Sequence, residues 1–198
     1  MILKRSFDIF ISSIILALTA PLLILAMIAI RITMGSPVFF RQTRPGKNKR
    51  PFSIVKLRTM HDRVNLAGTP IPDAQRLTSL GKFLRATSID ELPELWNVLR
   101  GEMSLVGPRP LLMEYLPLYN DRQDLRHTVK PGITGWAQIN GRNAISWEER
   151  LELDAWYIEN QSQWLDLKII WHTIWKVLSR ENINEPGHAT QSKFTGNK

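Results

Sequence analysis

The chain has 198 residues, 43% of them hydrophobic, with 26 Lys and Arg against 18 Asp and Glu, and no cysteine. The lack of cysteine excludes a disulfide framework, a thiolate nucleophile and cysteine-bound zinc. Four scattered histidines with no pair at helical ligand spacing predict no histidine metal site. The net charge of +8 calls for an anionic partner: nucleic acid, an anionic bilayer or a phosphorylated substrate.

The first predicted element is the apolar run Ile9 to Ile30, twenty-two uncharged residues with Pro21 in the middle. A helix of about twenty residues matches a hydrocarbon core of ~30 Å. Proline lacks a backbone N–H and crowds the carbonyl of Ala17, which predicts a break into halves of roughly 18 Å, each too short to cross. Lys4 and Arg5 precede the run, and Arg31, Arg41, Arg44, Lys47, Lys49 and Arg50 follow it with no acidic residue between Arg31 and Arg50. Both flanks favour the cytoplasmic side. A re-entrant helix that dips in, bends at Pro21 and returns satisfies both, with a kinked span as the alternative. Thr19, Ser12 and Ser13 are candidate partners for the freed carbonyl. A cleaved signal peptide fits poorly, because the run exceeds the usual apolar region and Pro21 directly follows the small-residue site Leu18-Thr19-Ala20.

Beyond Gly35-Ser36-Pro37, the segments 38–40 and 52–57 read as short strands around the basic turn RPGKNKRP, a hairpin candidate. Residues 61–76 are polar and proline-containing and predict a surface loop, followed by a helix through 80–85 and another after Asp90. LLMEYLPLYNDRQDLRH looks helical with a bend or a boundary at Pro117, and PGITGWAQINGRNAIS looks like a binding loop with a short strand. Residues 147–180 are helical, interrupted near Asn160, and the polar tail is expected to be poorly ordered. Trp164, Trp171 and Trp175 share one helical face, which reads by default as a core stripe and alternatively as a face resting on a bilayer.

The densest candidate site is ATSIDELPELWNVLRGEMSLVGPRP. Pro93 belongs in a first helical turn, which would put Asp90 near the N-cap and Glu91 just inside. Simple capping explains such carboxylates. The alternative is chemistry: one carboxylate binds a hard divalent cation such as Mg²⁺ while its neighbour attacks or accepts a proton. Lys56, Arg58, Arg85, Arg109 and Arg142 are cations that could hold phosphate oxygens. No Walker-type loop, dinucleotide fingerprint or serine elbow is present.

The order KLRTM, RATSIDELPELWNVLRGEMSLVGPRPLL and RHTVKPGITGWAQINGRNAISW resembles the bacterial sugar transferases known as small monotopic phosphoglycosyl transferases, most closely their protein N-glycosylation branch. The likeness covers nearly the whole chain, including the KFTGNK-type tail. It implies transfer of a phospho-sugar from a UDP-sugar to polyprenyl phosphate with release of UMP, at the cytoplasmic face of the bacterial inner membrane. By position it makes Asp90 the nucleophile that forms a covalent phospho-sugar intermediate, and Glu91 its neighbour at a Mg²⁺ ion. It assigns Arg85, Arg109 and Arg142 to phosphates or nucleotide, with Lys56, Arg58, Asn140 and Asn143 as further binding positions. The branch suggests UDP-diacetamido-bacillosamine as donor, with N-acetylgalactosamine or N-acetylglucosamine as alternatives. The family's membrane helix breaks at a Ser-Pro pair where this chain has Ala20-Pro21, and Arg58 stands where lysine is common.

The expected architecture is therefore α+β and mostly helical. Residues 1–34 form the re-entrant membrane helix and basic flank, 35–183 a cytoplasmic catalytic domain with a short hairpin and interfacial amphipathic helices, and 184–198 a polar tail. The competing reading is a membrane-anchored basic module for nucleic acid or anionic lipid, with Asp90 and Glu91 as caps. The spread of basic residues along the chain, rather than in an arm, argues against a nucleic-acid partner.

Overall fold

The computed structural model describes residues 2–62, 71–141, 145–179 and 193–196. Helix α1 (Ile2–Met34) is long and apolar enough to cross a membrane. Helical backbone continues through Pro21, so no non-helical break separates the two halves: the missing N–H forfeits a single hydrogen bond and the flanking turns hold. The hydroxyl of Thr19 does not serve the Ala17 carbonyl but donates to Ile15 O at 2.7 Å, and Ser12 Oγ is buried without a partner.

The expected hairpin is present and longer than the apolar segments suggested. Strands β1 (Phe39–Pro45) and β2 (Pro51–Leu57) pair antiparallel around a basic tip in which Asn48 and Lys49 adopt positive φ. The single-turn α2 (Asp73–Arg76) leads into α3 (Ser79–Ala86), capped by Thr78 Oγ1 accepting from the Gly81 N–H. A Cβ on Gly81 would lie 1.9 Å from the carbonyl oxygen of Thr59, so only glycine lets α3 approach the chain leaving β2 this closely. Helix α4 (Glu94–Arg100) ends at Gly101, whose φ of 84° reverses the chain into β3 (Ser104–Val106).

The segment around Pro117 is more divided than a helix with one bend or boundary. Proline and short polar caps divide it into a 3-10 stretch Met113–Leu118, the single-turn α5 (Asp121–Asp124) and a 3-10 turn Leu125–His127. Strand β4 (Gly132–Thr134) pairs parallel with β3, followed by α6 (Trp136–Ile139), α7 (Trp147–Glu159) and α8 (Gln163–Ser179).

Two apolar clusters hold α1 against the rest. Its first half, through Ile11, Ile15 and Leu16, packs on a core of Leu95, Leu105, Val106, Tyr157, Leu165 and Ile169. Its second half, through Ala26, Ile30 and Met34, packs on Leu57 and Leu84. Two expectations change here. The face with Trp164, Trp171 and Trp175 is not a core stripe: these rings are 77%, 69% and 65% exposed, because α8 turns Leu165, Asp166 and Ile169 inward instead. The end of the polar tail is also anchored, since Phe194 is buried among Leu111, Tyr115, Tyr119, Trp147 and Leu151.

Candidate active site

Asp90 and Glu91 do not cap α4. They lie in a 3-10 turn, Ile89–Glu91, entered through Ser88 in the left-handed region at φ 55°, ψ 16°. A non-glycine residue held there stores strain, and it sits two positions from Asp90. The helix proper starts at Glu94, immediately after Pro93, which suits an N-terminal position that needs no N–H. The caps-only premise of the binding-module reading is thereby removed.

The partner element is β2. Fully buried Asn97 of α4 accepts from the Val55 N–H at 3.1 Å and donates to Ser53 O at 2.8 Å and to Glu102 Oε2 at 2.7 Å. This fastens α4 beside β2 and brings Lys56 against both Glu91 Oε1, at 2.6 Å, and Glu94 Oε1, at 2.9 Å. Arg109 closes the other side, its guanidinium forking onto both oxygens of Glu91. Arg109 is in turn positioned by Arg126, which donates to its carbonyl at 2.6 Å and pairs with buried Asp154 at 3.1 Å. Arg85 Nε donates to Thr59 Oγ1 at 3.1 Å, the residue whose backbone Gly81 admits.

The two adjacent carboxyls are driven apart. Burial would raise Glu91, but Arg109 and Lys56 outweigh it and hold this carboxyl well below its usual range. Asp90 is pushed up to about 7 by burial and then by the charge of Glu91, against the pull of Lys56, Arg85 and Arg109. Glu94 is also raised, first by burial. Lys56 loses some stabilisation to burial but is raised by Glu91 and Glu94, so it stays charged. Among the described residues Asp90 makes no hydrogen bond or ion pair, which leaves its oxygens available to a reaction partner.

Six of the expected residues, Lys56, Arg58, Arg85, Asp90, Glu91 and Arg109, line one cavity of about 1960 Å³. Arg58 serves mainly the fold: its guanidinium donates to Ser36 O at 3.1 Å, Pro37 O at 3.3 Å and Met60 O at 2.9 Å, and pairs with Asp62 at 3.0 Å. Asn140 is exposed and donates to Trp136 O at 2.8 Å, closing its own helix rather than lining the cavity. Arg142 and Asn143 lie outside the described residues. Ala20 and Pro21 sit mid-helix in α1.

Glu94 was not anticipated, although its spacing of three and four from Glu91 and Asp90 is a same-face helical signal. Arg44, which lines the same cavity, and the Arg126–Asp154 pair carry no local sequence signal.

A hard cation such as Mg²⁺ takes oxygen ligands and commonly keeps waters and substrate phosphates beside one or two carboxylates. Among the described residues no group of three or more His, Asp or Glu side chains is placed to cage an ion. The unpaired Asp90 carboxyl beside Glu91, whose Oε2 has only a 3.4 Å contact with Arg109, fits an ion delivered with a diphosphate.

The family described as bacterial sugar transferase matches residues 1–180. An uncharacterized sugar transferase, EpsL, of Bacillus subtilis (strain 168) is 55% identical over 196 residues, covering 99% of this chain and 97% of the relative. A UDP-glucose:undecaprenyl-phosphate glucose-1-phosphate transferase of Caulobacter vibrioides is 43% identical over 191 residues, covering 90% of this chain and 71% of the relative. The protein of the same description from Escherichia coli (strain K12) is 42% identical over 187 residues, and there the match spans only 40% of the relative.

Proposed function

The chain belongs to the bacterial sugar transferase family, and on that premise we propose that it transfers a sugar 1-phosphate from a UDP-sugar to undecaprenyl phosphate, releasing UMP, at a membrane surface. The observation that carries this reading is a buried, unpartnered Asp90 beside a Glu91 pinned by two cations, in a cavity shared with the apolar membrane helix.

In the first half-reaction an Asp90 oxygen attacks the sugar-bearing β-phosphorus. The new P–O bond forms as the bond to UMP breaks, and UMP leaves with the electron pair. In the second, a phosphate oxygen of the acceptor attacks the same phosphorus and Asp90 departs as carboxylate. Arg85 and Arg109 offset charge on the phosphoryl oxygens, and Lys56 keeps Glu91 ionised and oriented. Asp90 and Glu91 would hold Mg²⁺, which neutralises charge on the diphosphate when bound. Asp90→Asn keeps the shape but not the nucleophile, so UMP release falls by at least about a thousandfold while the thermal melt is retained. Full turnover by that variant rules out the covalent route.

We infer that the membrane helix enters and returns on one face, bending at Pro21 without a non-helical break. Its N-terminal end is tied to the catalytic domain by Lys4 to Asp166 and Val106 O, by Arg5 to the carbonyls of Val98 and Leu99, and by Asp8 to Ser104 Oγ and the Leu105 N–H. Its C-terminal end is buried on Leu57 and Leu84 of the same domain. A perpendicular span would carry those ends ~30 Å apart across the bilayer. The basic flanks favour the cytoplasmic side.

The descriptions of the Caulobacter vibrioides and Escherichia coli relatives name glucose, whereas the sequence resemblance leads to diacetamido-bacillosamine or an N-acetylhexosamine. A panel of UDP-glucose, UDP-galactose, UDP-N-acetylglucosamine, UDP-N-acetylgalactosamine and UDP-diacetamido-bacillosamine, assayed for UMP release, identifies the donor.

A further inference from the structure

We propose that the groove between α1 and α8 is the seat of the acceptor's isoprenoid chain, an assignment that rests on the sugar-phosphate transferase reading above. The cavity that holds Asp90 and Arg85 does not end at the polar residues. One wall is an apolar stripe of α1, Phe7, Ile11, Ile15 and Leu22, whose spacings of four, four and seven place them on one helical face. The opposite wall is Ile170, Thr173, Ile174 and Val177 of α8, at spacings of three, one and three. Leu95, Leu105 and Ile133 of the underlying layer line the same cavity.

The walls are held in place. Lys4 of α1 pairs with Asp166 in the first turn of α8, and Ile11 and Ile15 share a core with Ile169. Thr173, the one polar residue on the α8 wall, bonds Thr134 Oγ1 at 2.7 Å and Ile169 O at 2.8 Å. The part of the lining supplied by α1 and α8 is therefore almost wholly hydrocarbon, in the same cavity as the Asp90 carboxylate and its surrounding cations.

That polarity selects the occupant. A polyprenyl phosphate carries its phosphate directly on a long chain without polar groups, so phosphate at Arg85 and chain between α1 and α8 match the charged and the apolar parts of this groove. The tryptophans of α8 lie roughly a third of a turn from its groove face. The helix can thus rest those rings at a bilayer surface while its groove face meets α1, giving the chain an apolar route from lipid to Asp90.

The test uses full-length protein in phosphatidylethanolamine–phosphatidylglycerol vesicles, with the UDP-sugar selected by the panel and two acceptors, undecaprenyl phosphate and geranyl phosphate. Ile174 is 52% exposed, so Ile174→Trp fills the groove without disturbing the core, and an unchanged melting temperature checks this. His172→Trp, at an exposed position about 200° around α8 from Ile174 and outside the groove, is the control. Ile174→Trp is expected to raise KM for undecaprenyl phosphate at least tenfold and KM for geranyl phosphate less than threefold, with His172→Trp changing neither. Equal shifts for the two acceptors, as when a bilayer phospholipid occupies the groove, or no shift, overturn the assignment. If the unmodified protein releases no UMP from any UDP-sugar in the panel, the transferase reading fails and the groove assignment with it.

Discussion

At the scale of single residues, the site separates two neighbouring carboxyls by environment. Glu91 gains Lys56 and Arg109 while Asp90 gains neither, although the two are adjacent in sequence. The pair itself was legible, because ID-E before a proline in a cation-rich stretch is an unusual concentration of chemistry. The inequality was not, because it depends on which carboxyl faces β2 across a sequence gap of thirty-five residues. His127 provides a separate test of the packing behind the site. Burial, and then the charge of Arg126, depress it to about 4 from its ordinary value near 6.5. A histidine held neutral stabilises the fold above its unfolded pKa and loses that contribution as pH falls through the folded one. The melting temperature should therefore drop as pH is lowered from about 6.5 to about 4, and His127→Phe, which keeps a ring beside Tyr119, should flatten that part of the profile.

At the scale of elements, the hairpin and α3, α7 and α8 follow from turn chemistry, a threonine cap and hydrophobic periodicity, all local signals. The elements misread are those set by distant partners. Helix α4 begins three residues later than its capping pattern suggested, since the strained turn at Ser88 serves Asp90 and Glu91 rather than the helix end. The stretch around Pro117 breaks into turns that are packed by Phe194, a residue nearly eighty positions away. The junction of α4 with β2 rests on Asn97, whose amide serves both elements. Asn97→Ala leaves the Val55 N–H and the Ser53 carbonyl without their partner, and should cost about 3 kcal/mol in denaturant unfolding. It should also lower kcat, because Lys56 would no longer be held in register with Glu91 and Glu94.

At the scale of the whole molecule, α1 is a structural part of the catalytic domain as well as its membrane segment. Both of its ends are fixed to that domain, which predicts a single-sided topology. The chain has no native cysteine, so Leu3→Cys and Ser179→Cys, made separately, report location cleanly. In sealed inverted vesicles a membrane-impermeant maleimide should label both from the outside; labelling of position 179 alone would establish a span. The sequence by itself determined the long apolar helix, its basic flanks, the hairpin and the residues able to carry phosphate chemistry, because each is written in local composition and spacing. Only the tertiary structure decided that the tryptophan face of α8 is exposed, that Glu94 joins the site, that Arg58 holds the Ser36-Pro37 segment following α1 and that Asp90 stays unpaired among the described residues. Those outcomes depend on which surfaces meet across long sequence separations, where burial and charge pairing compete and local pattern has no influence.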